Sequence, residues 1–140
     1  MSRLIFLYTL IFFTLTGWAT DFNRTIHWTN QGLPKVSGSN SLPDFDGSVT
    51  AEPTKLPLWF ESFELTSADA DIAILNSVFE MVGDSILQSN QLIPAELKYW
   101  TEIGSSKGKS FLRVTINPFI KRNNRIEKLV EFTVSIQEKP

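Results

Sequence analysis

Few side chains in this chain of 140 residues can do covalent chemistry. There is no cysteine, and His27 is the single histidine. Without cysteine there is no thiolate nucleophile, no thiolate zinc site and no disulfide staple. Any hydroxyl nucleophile has only His27 as a histidine base. His27 sits beside Trp28 in "FNRTIHWTN", which reads as strand surface, and no second histidine exists to share a metal. Carboxylate pairs remain. Glu61 and Glu64 have an odd spacing, which puts them on opposite faces of a strand. Asp69 and Asp71 share a face but read as solvated loop residues. Asp44 and Asp46 in "PDFDG" lack the further ligands and closing glutamate of a calcium loop. Proline, aspartate and glycine in that order make a turn instead. The expectation is no catalytic residue, no metal ligand, no cofactor, and no enzyme within these residues.

Binding asks for less. Trp28, Trp59, Tyr99 and Trp100 could stack on a glycan if exposed together; the competing reading packs them in a core. Lys121, Arg122 and Arg125 form one basic turn, a small surface beside a nucleic-acid footprint, so no nucleic-acid partner is expected. Charge is unevenly divided. From Asp21 to Glu96, three bases stand against eleven acids, which gives −8. From Leu97 to Pro140, nine bases stand against four acids, which gives +5. Two halves packed together would neutralise each other; the alternative is an oriented charged surface facing a partner.

The chain opens with Arg3, then a charge-free run, "LIFLYTLIFFTL", then "GWA" with small residues placed for cleavage after Ala19. That order is a secretory signal peptide. Residues 1–19 are therefore expected to direct export and residues 20–140 to form a single β-rich domain with a modest core. No transmembrane span is expected after the signal. "FNRTIHWTN" (Phe22 to Asn30) reads as a short strand. Gly32 to Pro57 is broken by Pro34, Gly38, Pro43, Gly47, Pro53 and Pro57, which excludes a long helix or a central strand. "LPLWFESFEL" (Leu56 to Leu65) reads as a strand that enters a buried layer and becomes amphipathic. "DIAILNSVFEMV" (Asp71 to Val82) fits either a helical stripe or a two-faced strand. Its β-branched and aromatic content favours the strand. Gly83 to Leu97 is expected to hold a turn or a short helix ending before Pro94. "AELKYWTEIGSSKGK" starts as a strand with Leu97, Tyr99, Thr101 and Ile103 on one face, and is expected to end in a loop marked by Gly104 and Gly108.

The clearest pattern is the last. "SFLRVTINPF" places Leu112, Val114 and Ile116 on one face, and "KLVEFTVSI" places Val130, Phe132, Val134 and Ile136 on one face. Two half-buried strands with a short polar connector predict an antiparallel hairpin. In the connector, Pro118 should limit its strand to an edge or a bulge, and Asn123 and Asn124 tolerate positive φ. The fold class expected is all-β, mainly antiparallel, a sandwich or jelly-roll-like domain with at most one short helix.

The order of "LPDFDG", "LPLWFESFEL", "ILNSVFEMV" and "SSKGKSFLRVTINPFIKRNNRIEKLVEFTVSI" resembles the N-terminal region of the PorU-like type IX secretion sortases of Bacteroidetes. These are relatives of the gingipain-type (C25) cysteine peptidases. The family's V-S-F-x-P-I-R-K-N strand matches Val114 to Asn123, and its E-K-L-V-x-F strand matches Glu127 to Phe132, across a shortened connector. The resemblance implies a leading β-domain, placed where gingipains carry a propeptide. The family's histidine–cysteine peptidase domain would lie downstream, so no catalytic residue carries over. That family cleaves C-terminal signal domains of cargo at the outer membrane and attaches the cargo to lipopolysaccharide, with PorV as partner. The implied role is an exported, non-catalytic domain in the periplasm, outer membrane or cell surface of a Gram-negative bacterium. It would contact a cognate peptidase domain or a secretion partner, either as a docking domain or prodomain-like, with the Gly32 to Pro57 stretch near the active-site cleft. The alternative is an independent cell-surface module for a glycan or protein ligand. The ending "QEKP" reads as a domain boundary, which favours a fragment or degenerate copy over a free-standing remnant.

Overall fold

The computed structural model describes residues 19–29, 44–51, 56–82 and 93–139. The expected signal peptide, apart from Ala19, lies outside them. So do most of the proline- and glycine-broken stretch and residues 83–92, where a turn or short helix was expected. Eight strands run through the described residues, which contain no helix: β1 (Thr20–Thr25), β2 (Val49–Ala51), β3 (Leu56–Leu65), β4 (Asp69–Met81), β5 (Lys98–Ser106), β6 (Lys109–Asn117), β7 (Phe119–Arg122) and β8 (Arg125–Lys139). Every pairing is antiparallel.

Two four-stranded sheets result. In the first, β8 has β4 along one edge, while β7 and then β1 share the other; the second runs β2-β3-β6-β5. Their inner faces meet in one core. Phe132, Val134 and Ile136 of β8 pack with Phe63 and Leu65 of β3 and with Leu112, Val114 and Ile116 of β6. Val114, Ile116 and Val134 have no exposed surface at all. Burying such side chains contributes about 1.5–3 kcal/mol each, and with no cysteine in the chain this is what must hold the sandwich.

The segment open to helix or strand is a strand. Ala70, Ile72, Ile74 and Phe79 of β4 lie against the core, and one extra residue on β4 between Leu75 and Val78 moves the inward phase from Ile74 to Phe79. Asn76 at that step has φ of 52°, a conformation asparagine tolerates better than most residues.

Four expectations need correction. First, β6 and β8 are not hairpin partners; they belong to different sheets and face each other across the core. The chain switches sheets at Pro118, which has no N–H for either ladder. The Asn117 side chain accepts the Phe119 N–H at 3.2 Å, and the Pro118 carbonyl accepts the Leu129 N–H at 2.8 Å. Pro118 is thus a corner rather than an edge or bulge. The hairpin that does form is short, β7 with β8, and its turn residues Asn123 and Asn124 have φ of 49° and 61°.

Second, Val130 is only half buried, and Leu129 takes its place in the core. The register with β4 slips between Val78 and Phe79, so Glu131 and then Leu129 are the paired residues. Third, Gly104 is not in a loop. β5 continues through it to Ser106, and the turn is Lys107–Gly108, both with positive φ. Fourth, Asp69 and Asp71 lie within β4, not in a loop. Pro57, named as a barrier to a central strand, stands second in β3, where its only partner is the three-residue β2.

Candidate functional site

The carboxylates single out no reactive pair. Glu61 and Glu64 do point to opposite faces: Glu61 takes Arg24 at 2.8 Å and Glu64 takes Lys109 at 3.4 Å. Asp69 and Asp71 share a face and clasp the Lys139 ammonium at 3.5 and 3.2 Å. The Asp71 hydrogen bond, then the Asp69 charge, hold the Lys139 ammonium above the usual lysine range. The Lys109 and Lys139 pairs join the basic half of the chain to the acidic half, as packing of the two halves requires. Asp44 directs its carboxylate at its own turn, accepting the Phe45 N–H at 2.8 Å and the Ser48 hydroxyl, with Gly47 at φ 82°. His27 is exposed. Among the described residues no three histidine, aspartate or glutamate side chains come together as a metal site.

The four aromatics divide. Trp28 is half buried, donates Nε1–H to the Leu129 carbonyl at 2.9 Å, and packs on Phe45 and Phe119. The Lys128 ammonium lies 5.3 Å from its ring. Trp59 packs edge-on against Phe132 at 4.8 Å. These two are core residues. Tyr99 and Trp100 are neighbours on β5, so they point to opposite faces, and both are exposed. Among the described residues no two tryptophans stand side by side on an open face.

What the strands do assemble is the outer face of the second sheet. Register places Phe60 of β3 and Trp100 of β5 on either side of Thr115 of β6. Phe60 and Trp100 are 36% and 46% exposed, while Thr115 between them is covered to 8%. In the next row Ser62, Arg113 and Glu102 stand abreast, and the Arg113 guanidinium lies 4.6 Å from the Phe60 ring. In the row after, Glu64, Phe111 and Gly104 are abreast, and half-buried Phe111 faces a glycine that offers no side chain. A side chain added at Gly104 meets nothing within 4 Å. The result is a shallow groove of about 380 Å³ lined by Ser62, Glu102, Gly104, Phe111 and Arg113.

As a candidate binding residue, sequence reasoning named only Trp100 of this face. Phe60, Phe111 and Arg113 were missed, although the alternation along β3 and β6 placed them opposite the apolar stripe. That signal was read only for what it buried. The basic turn is exposed, but two of its arginines are also tied to the fold: Arg122 pairs with Glu127 at 3.7 Å and lies over the Phe79 ring at 5.5 Å. Arg125 reaches the Met81 sulfur at 3.9 Å.

No family model, no curated protein and no solved structure matches the chain. Among the described residues no helix is long and apolar enough to cross a membrane.

Proposed function

We propose that this chain is an exported, non-catalytic β-domain, akin to the leading domain of a PorU-like sortase, that works through protein contacts made by the outer face of β3, β6 and β5. One observation carries the reading: Phe60, Trp100, Phe111 and Arg113 stand together on a face of regular strands, three of them exposed. Aromatic residues and arginine are the types enriched at protein interfaces, and strands hold them in place before a partner arrives. The stated partner is a type IX sortase peptidase domain or its outer-membrane companion. Immobilised protein titrated with that peptidase domain should bind at about micromolar strength, and Trp100→Ala should weaken binding by about tenfold or more. Absence of binding at that concentration sinks the proposal.

A second reading takes the same face as a glycan platform. Phe60 and Trp100 are two strands apart, about 10 Å, on one open face. Oligosaccharides titrated against tryptophan fluorescence discriminate the two, because a stacked sugar shifts the emission of Trp100 and a Trp100→Phe variant removes the change.

A further inference from the structure

The sandwich has four sheet edges, and three are blunted in recognisable ways. On the β2 side the edge is the three-residue β2 and then β3 beyond it, which carries Glu61 and Glu64; in the other sheet β1 carries Asp21 and Arg24 within six residues, and β4 is broken by the irregularity at Asn76 and Ser77. Short length, charge and bulges are the usual devices against edge pairing. The fourth edge, β5, carries Lys98 and Glu102 but is neither short nor bulged. It is nine regular residues, Lys98–Ser106, without proline or register shift, and all nine are exposed.

Its turn fixes which backbone groups are unpaired. Ser106 and Lys109 close the two-residue turn and bond to each other, so Lys98, Trp100, Glu102 and Gly104 also face their bonds toward β6. Tyr99, Thr101, Ile103 and Ser105 then aim their N–H and C=O groups at the side where, among the described residues, no strand pairs. Tyr99 and Ile103 also turn their side chains toward the inner face, yet they are 41% and 43% exposed. An edge with unpaired backbone and uncovered apolar side chains is a template for another strand.

We infer that β5 pairs with β5 of a second copy, antiparallel, about a two-fold axis through Thr101. The strand's own sequence selects that register. An axis at Glu102 would align all nine residues but set Glu102 against Glu102 of its partner, a like-charge contact. An axis at Trp100 pairs only five residues and leaves Ile103 without an apolar neighbour in the paired strand. The axis at Thr101 pairs residues 98–104. It sets Tyr99 against the other copy's Ile103 twice and Thr101 against Thr101. It also places Lys98 diagonal to the other copy's Glu102, within reach of a long side chain. Three bonded pairs supply about six backbone hydrogen bonds, and an isologous contact of this kind closes as a dimer. The two second sheets become one sheet of eight strands, and the outer faces carrying Trp100 become continuous.

A chain without cysteine makes the test direct. Single cysteines placed at Trp100, Thr101, Glu102 and Ser105 in the full chain are oxidised mildly and read on a non-reducing gel. Only a residue on the axis meets its own copy within disulfide range, so Thr101→Cys should cross-link about tenfold more than the other three. Light scattering of the unmodified protein should give a dimer at about 100 µM, and Ile103→Lys, with an unchanged circular dichroism spectrum, should give a monomer. A monomer at that concentration, or cross-linking that peaks elsewhere or nowhere along β5, overturns the inference. A monomer that instead binds an extended peptide along β5 also overturns it, and assigns the edge to a different chain.

Discussion

Arg24 on β1 reaches across the sandwich to Glu61 on β3, with Nε 2.8 Å from Oε2. Its guanidinium lies 5.5 and 5.8 Å from the rings of Phe22 and Phe63, which pack on each other at 4.8 Å. Both charged side chains are about a third exposed, so water screens much of the attraction. The arginine stem and stacked plane supply the rest. Arg24→Ala should lower the unfolding free energy by about 1–2 kcal/mol in a urea titration, and Arg24→Met should recover part of it. Equal losses in both variants would show that packing contributes nothing here.

Glu138 clasps the turn between β3 and β4. Its carboxylate accepts the Ser67 and Thr66 N–H groups at 2.9 and 2.6 Å, and both hydroxyls as well. The backbone bond from Ser67, then that from Thr66, hold this carboxyl below the usual glutamate range. A carboxylate lowered on folding adds stability above its unfolded pKa, about 4.3, and loses it as pH falls through the folded value. Melting temperature should therefore drop on acidification below about pH 4.3 in the native chain. Glu138→Gln should melt lower at neutral pH and show a shallower drop.

Gly104 leaves the groove beside Phe111 open without any conformational need for glycine, since its φ is not left-handed. Glycine inside a strand costs about 0.5–1 kcal/mol relative to alanine. Gly104→Val should raise stability by a similar amount while filling the groove and weakening partner binding. A variant that binds normally would exclude the groove from the contact.

Asn124 holds φ of 61° at the tip of the β7–β8 hairpin. Asn124→Val should cost about 1–2 kcal/mol by strain alone, whereas Asn124→Gly should be neutral or slightly stabilising. Thermal melts of the two variants provide the comparison.

The fold class was legible because alternation is a local signal. Leu112, Val114 and Ile116 announce a buried face wherever their strand is placed, and β-branched content decided Asp71 to Val82 correctly. Which strands pair is not local. The stretches around β6 and β8 are adjacent in sequence and equally amphipathic, so a hairpin was the economical reading. The deciding fact was the lone Pro118 between two strands of different sheets, and the bond from Asn117 that lets the chain turn there. Val130 failed for a related reason, since a register slip opposite β4 has no signature in β8 itself.

The candidate face was hidden differently. Exposed aromatics look like core residues in a list, and only register shows that Phe60 and Trp100 flank one threonine. Trp28 and Trp59 went the other way, into the core, for the size reason that had been weighed against them. Register depends on strands far apart in the chain, with Phe60 paired to Thr115, 55 residues on, so no window of sequence contains the site.

The placement of β8 has a consequence for the order of events when the chain folds. Among the described residues β1, β4 and β7 have β8 as their only ladder partner, and Thr20 pairs with Ile136. The second sheet can be complete while β8 is still being synthesised or threaded, but the first sheet cannot begin. Until then the apolar inner sides of β3 and β6 have nothing to lie against. This sandwich stays open until β8 has emerged, and closes over milliseconds to seconds by contacts that are mostly long in sequence.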